Sequence, residues 1–235
     1  MLDVEALARD GLARVPGLLD ARALAALRAE EARLRAVLPP TAAGPLRGWV
    51  VHDLARHSAP VRELAMRGPH VDALERVLGP DFGLRTSIML TKKAGGDPAI
   101  VEYPWHQDGV VNEGDAVVAL WIALDDVHER NGCVWALPES HREGYLPHER
   151  VRATTARGVA VELAAGDAVL LHGHVLHRSF QNASEGLRRA INLGYVSLRA
   201  TSAATGEREC ARPEVWMVRG AVPLPSRDHH HDDDA

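Results

Sequence analysis

Two groups of histidine and acidic residues are the candidate chemistry of this 235-residue chain. His106 and Asp108 form an H-x-D triplet, and residues i and i+2 of a β-strand lie on the same side, where nitrogen and oxygen ligands can share one ion. Further along, the segment GDAVLLHGHVLHRS contains His172, His174 and His177 after an apolar run. One imidazole from that segment would complete a 2-His-1-carboxylate group, which holds Fe(II) and leaves coordination positions open.

Spacing alone does not decide which histidine completes the group. In one continuous strand His172 and His174 would share a face, and His177 would lie on the other. The pair Arg188–Arg189 precedes an apolar run, so one guanidinium would face inward. A buried arginine needs an anion, and its planar fork suits a carboxylate. The alternative is that both arginines are solvated charges at the start of a strand.

The elements that must position these side chains change character near residue 80. Before it, Asp20–Leu38 predicts a helix capped by Asp20, with shorter helices near Pro60–Met66 and His70–Leu78 and a short strand at Gly11–Val15. After it, β-type runs alternate with turns, and many short strands at this spacing are typical of a sandwich or barrel. The runs are Arg85–Thr91, Ala116–Leu124, Cys133–Leu137, Gly158–Leu163, Asp167–Leu171 and Ala190–Leu198.

Composition limits the classes of partner. The chain is 46% hydrophobic and 25% charged, with a net charge of −5, which excludes a strongly basic nucleic-acid footprint. No apolar run approaches the roughly 18 residues of a membrane helix, and no signal peptide is visible. The two cysteines, Cys133 and Cys210, fit a reducing cytoplasm. We therefore expect a cytoplasmic protein with no nucleic-acid or membrane partner, one domain over residues 1–225, and a disordered charged tail at 226–235.

Residues 84–198 resemble the phytanoyl-CoA dioxygenase family of Fe(II)/2-oxoglutarate-dependent oxygenases. The matching segments follow the family's order and spacing: MLTKKAGG, WHQDG, ALWIALDDVHERNGCVWALPESH and GDAVLLHGHVLHRSFQNASEGLRRAINLGY. The segment DGLARVPGLLDARALAALRAEEARL is similar to the family's opening strand and helix. The resemblance implies a mainly β fold, the double-stranded β-helix or cupin-like jelly roll. Residues 1–80 would form its helical N-terminal part and residues 81–200 its jelly-roll core.

The resemblance also implies which residues form the site. In the family the distal metal ligand stands in an H-x-S-x-x-N context, which selects His177 and makes His106, Asp108 and His177 the catalytic iron ligands. His172 and His174 then become strand or supporting residues. The family's 2-oxoglutarate arginine lies eleven residues after that histidine, and the other expected co-substrate contacts match family positions. These co-substrate residues are Arg188, Ser179, Trp121 and Met89.

The implied activity is oxidation of a small molecule, with Fe(II) as cofactor, 2-oxoglutarate and O2 as co-substrates, and succinate and CO2 as products. A carboxylate at Asp108 favours hydroxylation over halogenation, while desaturation, epimerisation and cyclisation stay open. The Ala- and Arg-rich composition favours a bacterial enzyme of specialised metabolism. The alternatives are a metal-dependent hydrolase and a non-catalytic cupin-like binding protein, and the oligomeric state stays open. The candidate substrate-binding residues are Tyr103, Trp49, Arg47 and Trp135.

The other histidines are expected to have no chemistry. His57, His70, His128 and His141 are predicted to be surface or capping residues. Cys133 is predicted to be a small buried residue at the start of a strand. The segment Arg142–Arg157 has a local basic bias that would suit an anionic substrate or, equally, a solvated loop.

Overall fold

The computed structural model describes residues 2–38, 49–95, 102–108, 117–202, 205–209 and 214–221. Its N-terminal third is largely helical, as the apolar spacing predicts. Asp20 begins the longest helix, where its side chain accepts a hydrogen bond from the Ala23 N–H at 2.7 Å. The helices are α1 (Val4–Asp10), α2 (Ala21–Val37), α3 (Leu54–His57), α4 (Ala59–Arg67), α5 (Val71–Leu78) and α6 (His148–Arg152). Among the described residues, no helix is long and apolar enough to cross a bilayer.

The strands form two antiparallel sheets. They are β1 (Leu12–Val15), β2 (Trp49–Val51), β3 (Phe82–Lys92), β4 (Glu102–His106), β5 (Val117–Ala123), β6 (Val134–Leu137), β7 (Val159–Val161), β8 (Ala168–His172), β9 (Leu176–Phe180), β10 (Arg188–Ser197) and β11 (Trp216–Arg219). The larger sheet has the order β1-β8-β5-β10-β3-β11, with β2 also paired to β3, and the smaller has the order β4-β9-β6-β7. This is the predicted double-stranded β-helix, which is confirmed.

Side-chain alternation gives the larger sheet two different faces. One face packs against the N-terminal helices, where Ile122 and Leu193 meet Leu34 and Leu74 in one apolar core. The opposite face is directed toward the space between the sheets. Its side chains, including Trp121, form part of a second apolar cluster. A one-residue change of register would exchange the two faces, so the apolar core determines which side chains face the smaller sheet.

The strand predicted at Asp167–Leu171 is confirmed as β8, and the three clustered histidines that follow its apolar run do not lie on one continuous strand. The chain turns at residues 173–175, between β8 in the larger sheet and β9 in the smaller, and Val175 N donates to His172 O at 2.9 Å. His172 ends β8, whereas His177 lies on β9 and pairs with Ala136 of β6. Strand parity across the whole segment therefore cannot select the ligand, because the segment is a connection between two sheets.

An ion-pair network joins the larger sheet to α2. The Arg189 side chain donates to both Asp125 oxygens at 2.9 and 2.7 Å, and the Arg189 N–H also donates to Asp125 at 2.9 Å. On the helix, the buried Glu31 carboxylate accepts from Thr91 Oγ1 at 3.1 Å and pairs with Arg35 at 3.1 Å. Arg189 lies on the outward face as predicted, but as a fixed, charge-paired side chain. It anchors the start of β10, and with it the neighbouring Arg188.

His70, predicted to be a surface or capping residue, occupies the N-cap position of α5, but its side chain is buried and does not cap the helix. His70 precedes α5 and its Nε2 lies 2.7 Å from the Tyr195 hydroxyl, which in turn donates to Ala65 O. Burial lowers the pKa of His70 to about 4, so the ring is neutral and serves the packing of helices on the sheet. The prediction failed because helical periodicity does not show that a polar ring has a partner on a distant strand.

Gly132 allows the turn before β6 to approach the end of β9. Its φ of +78° lies in the left-handed region, and an added Cβ would press against the carbonyl oxygens of Phe180 and Gln181. Gly17 has a comparable φ of +61° but no atom within 4 Å of such a Cβ. A side chain at Gly17 would therefore add backbone strain alone, whereas a side chain at Gly132 would add both strain and a clash with neighbouring carbonyl oxygens.

We expect Gly132→Ala to lower the free energy of unfolding by about 3 kcal/mol, because strain and a clash with fixed backbone add. The matched Gly17→Ala variant is expected to lose about 1 kcal/mol, from strain alone. Urea unfolding followed by circular dichroism measures both values. Equal losses for the two variants would contradict the close-approach explanation.

Candidate functional site

The structure brings the three predicted metal ligands together at one end of the barrel. Asp108 Oδ1 lies 3.5 Å from His106 Nε2, and Asp108 Oδ2 lies 3.7 Å from His177 Nε2. The two imidazole ring centroids are 4.0 Å apart, and the ligand atoms of all three residues lie within 4.8 Å of one another. Two nitrogens and a carboxylate in this arrangement are a donor set for one divalent ion.

Backbone carbonyls fix the tautomer of both histidines. His106 Nδ1 lies 2.9 Å from Pro104 O, and His177 Nδ1 lies 3.0 Å from Val175 O. A carbonyl only accepts, so each Nδ1 must carry the proton and each Nε2 keeps its lone pair for a metal. Burial and the neighbouring His177 lower the pKa of His106 to about 4, which keeps this ligand neutral and ready to bind.

Asp108 lies just beyond the end of β4 and depends on other side chains for its position. The Arg85 guanidinium of β3 donates to the Asp108 carbonyl at 2.9 Å and lies 3.7 Å from the buried Glu209 carboxylate. Gln107 is fixed separately, because its amide donates to His174 O at 2.6 Å and accepts from Leu146 N at 2.8 Å. His174 thus supports the site through its backbone carbonyl.

Arg188 lies on the interior face of β10 and is only 2% exposed. Its Cζ lies 5.3 Å from the centroid of the Trp121 ring, and its Nε and Nη1 have no hydrogen-bond partner among the described residues. Burial lowers the pKa of Arg188 to about 10, so the guanidinium still carries its charge at neutral pH. A buried cation with unused donors is an anion-binding group.

Lys92 lies beside Arg188 and was not predicted. The two residues are paired across β3 and β10, and the Lys92 ammonium donates to Ser179 Oγ at 2.8 Å and to the Phe180 carbonyl. Strand alternation could have indicated Lys92, since Ile88, Leu90 and Lys92 lie on the interior face of β3. Arg85 was also missed, because nothing in local spacing shows that it reaches the Asp108 carbonyl.

The prediction for Met89 is wrong. Met89 is fully buried on the opposite face of β3, in the apolar core with the N-terminal helices. It pairs with Ile191 on that face, whereas Leu90 pairs with Ala190 on the interior face. A small cavity of about 100 Å³ beside Asp108 is lined by Ile88 and not by Met89.

The prediction for Trp135 is also wrong. Trp135 pairs with Arg178, on the face of β6 opposite to Ala136 and His177. Its ring packs edge-on against Phe180 at 5.9 Å and lies under the Arg157 guanidinium. This is the outer side of the smaller sheet, away from the metal ligands.

Tyr103, a predicted substrate contact, lies beside the metal ligands. It pairs with Ser179 on the inner side of the smaller sheet, and its ring meets His106 edge-on at 4.3 Å. Burial and the nearby Asp108 raise the pKa of the Tyr103 phenol, so it stays a neutral hydroxyl. Arg47 and the side chain of Trp49, the other predicted substrate contacts, lie outside the described part of the chain.

Comparison with known proteins identifies the family of this chain. A profile of the phytanoyl-CoA dioxygenase family matches residues 7–190. The chain belongs to this family. Phytanoyl-CoA dioxygenase 1 of Oryza sativa subsp. japonica is 32% identical over 171 residues, which are 61% of this chain and 58% of the rice protein. The chain spans less than two thirds of the length of the first curated relatives that it matches.

Solved structures extend the similarity. The epimerase SnoN, in complex with Fe3+, alpha-ketoglutarate and nogalamycin RO, is 28% identical with a TM-score of 0.70, covering 86% of this chain and 85% of SnoN. The carbocyclase SnoK from nogalamycin biosynthesis is 22% identical with a TM-score of 0.75, covering 91% of this chain and 94% of SnoK. The latter similarity shows the shared fold.

Removing one histidine ligand is expected to weaken metal binding at least about 100-fold, because the remaining two donors cannot hold the ion alone. His106→Ala and His177→Ala test this, with the exposed His128→Ala as the matched control. Competition with a chelating dye measures the affinity for Mn(II). Unchanged binding in either ligand variant would contradict the assignment.

Arg85→Ala is expected to weaken Mn(II) binding about tenfold, because Asp108 loses the group that holds its backbone. The exposed Arg76→Ala is the control, and the same competition assay applies. An affinity equal to that of the unaltered protein would mean that β4 alone positions Asp108.

Proposed function

We propose that this protein is an Fe(II)/2-oxoglutarate-dependent dioxygenase that hydroxylates, or otherwise oxidises, a small molecule. The observation that carries the proposal is Arg188, a buried cation whose Nε and Nη1 have no partner among the described residues and which faces the space between the sheets, as the His-Asp-His metal group does. A metal group alone would suit several reactions. A metal group with an internal anion receptor suits a co-substrate that has both a chelating end and a distant carboxylate.

The residues present fit both groups. The two Nε2 lone pairs and the Asp108 carboxylate converge, and their tautomers are already those of metal ligands. The unused Arg188 donors, with the Ser179 hydroxyl nearby on β9, fit the far carboxylate of 2-oxoglutarate. When bound, iron with 2-oxoglutarate and O2 supplies the oxidising chemistry, with release of succinate and CO2.

The chain's own residues bind, orient and exclude water. His106, His177 and Asp108 hold the ion and offset one of its charges. Arg188 fixes the orientation of the co-substrate, and the Trp121 ring covers one side of the guanidinium, which keeps water from competing for it. Tyr103 borders the metal group from the smaller sheet and is a candidate contact to substrate or co-substrate.

The loop at residues 144–146 borders the expected substrate pocket and is held in place by Gln107. Gln107 donates to Gly144 O at 2.9 Å and accepts from Leu146 N, so it ties the loop of the exposed Tyr145 to the metal ligands. Two of the four arginines of the neighbouring basic segment are charge-paired, because Arg150 pairs with Glu143 at 2.6 Å and Arg142 with Glu139 at 3.5 Å. These two arginines are therefore already engaged and do not by themselves favour an anionic substrate.

The proposal includes a place in bacterial specialised metabolism. SnoN, which binds a nogalamycin compound, and SnoK, from nogalamycin biosynthesis, share this chain's size and fold, which supports such a role. We further propose that residues 1–225 form one catalytic domain, because both apolar clusters share the larger sheet. The predicted tail at 226–235 lies outside the described residues.

The decisive experiment is an anaerobic titration of Fe(II) and 2-oxoglutarate, followed by exposure to O2 and assay of succinate. The proposal predicts a weak metal-to-ligand charge-transfer absorption and slow succinate formation without substrate. Arg188→Met is expected to lower both at least about 100-fold, because a buried charge-assisted contact is lost.

The matched control is Arg178→Met, which changes an arginine on the outer face of the smaller sheet. Iron binding without absorption or succinate would favour the non-catalytic alternative. Hydrolytic activity with zinc that does not depend on Arg188 would favour the hydrolase.

A further inference from the structure

The Lys92 Nζ lies within hydrogen-bond distance of three uncharged oxygens. It donates to Ser179 Oγ at 2.8 Å, to Gly132 O at 3.3 Å and to the Phe180 carbonyl. It forms no ion pair with a carboxylate that the structure describes, and Arg188 lies opposite it in the register of β3 and β10. Two cations side by side without an acid are costly unless an anion joins them.

We propose that Lys92 is a positioning residue that orients the Ser179 hydroxyl toward the carboxylate held by Arg188. This inference rests on the proposed function, since it deepens the co-substrate site. It assigns Lys92 an indirect role, in which the ammonium acts through the serine.

The protonation state of Lys92 determines where the Ser179 hydroxyl can donate its proton. Ser179 has one O–H donor and two acceptor sites. When the Lys92 ammonium donates to Oγ, the hydroxyl proton cannot be directed back to Lys92, and it is left to donate to an anion. A lysine in the neutral amine form has only two N–H donors and would accept the Ser179 proton instead. The two protonation states of Lys92 therefore give opposite orientations of the hydroxyl.

The charges around Lys92 couple its protonation state, and with it the orientation of the Ser179 hydroxyl, to co-substrate binding. Burial and the charge of Arg188 lower the pKa of Lys92 to about 6. The other titratable group acting on it is Cys133, whose pKa burial raises to about 11, so the thiol is neutral. A carboxylate beside Arg188 compensates the guanidinium and favours the ammonium. Binding above about pH 6 therefore takes up a proton, and affinity falls as pH rises.

Calorimetric titration of 2-oxoglutarate into the Mn(II)-loaded protein tests the inference. At pH 7.5, in two buffers of different ionisation enthalpy, the unaltered protein is expected to take up close to one proton on binding. Lys92→Met is expected to abolish that uptake and raise Kd about tenfold. The exposed neighbour Lys93→Met serves as control and is expected to change neither.

A double-variant cycle distinguishes action through Ser179 from direct contact with the anion. If Lys92 acts through the serine, Lys92→Met adds no further loss to Ser179→Ala. Additive losses, or an unchanged Kd in Lys92→Met, overturn the inference.

Should Lys92→Met fail to fold by circular dichroism, the unaltered protein still provides a test. A Kd that stays constant from pH 6 to 9 contradicts the inference. An unaltered Mn(II) protein that does not bind 2-oxoglutarate at all contradicts the proposed function itself.

Discussion

The charge of Arg188 is the constraint on which the site depends. A guanidinium that is 2% exposed and has unused donors is tolerated only because the surrounding fold is stable enough to hold it there. The adjacent Arg189 contributes, since its paired contacts to Asp125 fix the start of β10. The charge of Arg189 is paired with Asp125 on the outward face, whereas Arg188 on the inward face is left to bind an anion.

The rest of the site follows from the alternation of strands in two facing sheets. The larger sheet packs its outer face against the helices, and this packing directs Arg188, Trp121 and Lys92 inward. The smaller sheet directs His177 and Ser179 toward them from β9. The metal group and the anion receptor therefore come from opposite sheets. Asp108 is the exception, because it follows a strand and needs the Arg85 contact to its backbone.

The amino-acid sequence predicted the helices and strands with a regular apolar period, but it did not predict which face of a strand carries each site residue. The helix after Asp20 and most strands were predicted because their periodicity comes from burial on one face. His177 was selected by family resemblance and not by parity, because the turn at residues 173–175 is invisible to a pattern that assumes one strand. Met89 and Trp135 were wrong for one reason: each lies on the opposite face of a strand that does reach the site.

The two residues that sequence reasoning missed make contacts with residues far away in the chain. Lys92 meets Ser179, and Arg85 meets Asp108, through contacts between different strands and sheets. Both lysine and arginine are ordinary surface residues by composition, so only their burial against polar partners shows their roles. Such contacts depend on the assembled barrel and not on local pattern.

A crystal structure of the protein with Mn(II) and 2-oxoglutarate tests most directly whether Arg188 is the receptor for the co-substrate. We expect electron density for the metal between His106, Asp108 and His177, and the distal carboxylate within hydrogen-bond distance of Arg188 and Ser179. A distal carboxylate bound elsewhere, with Arg188 still unpaired, would contradict the account.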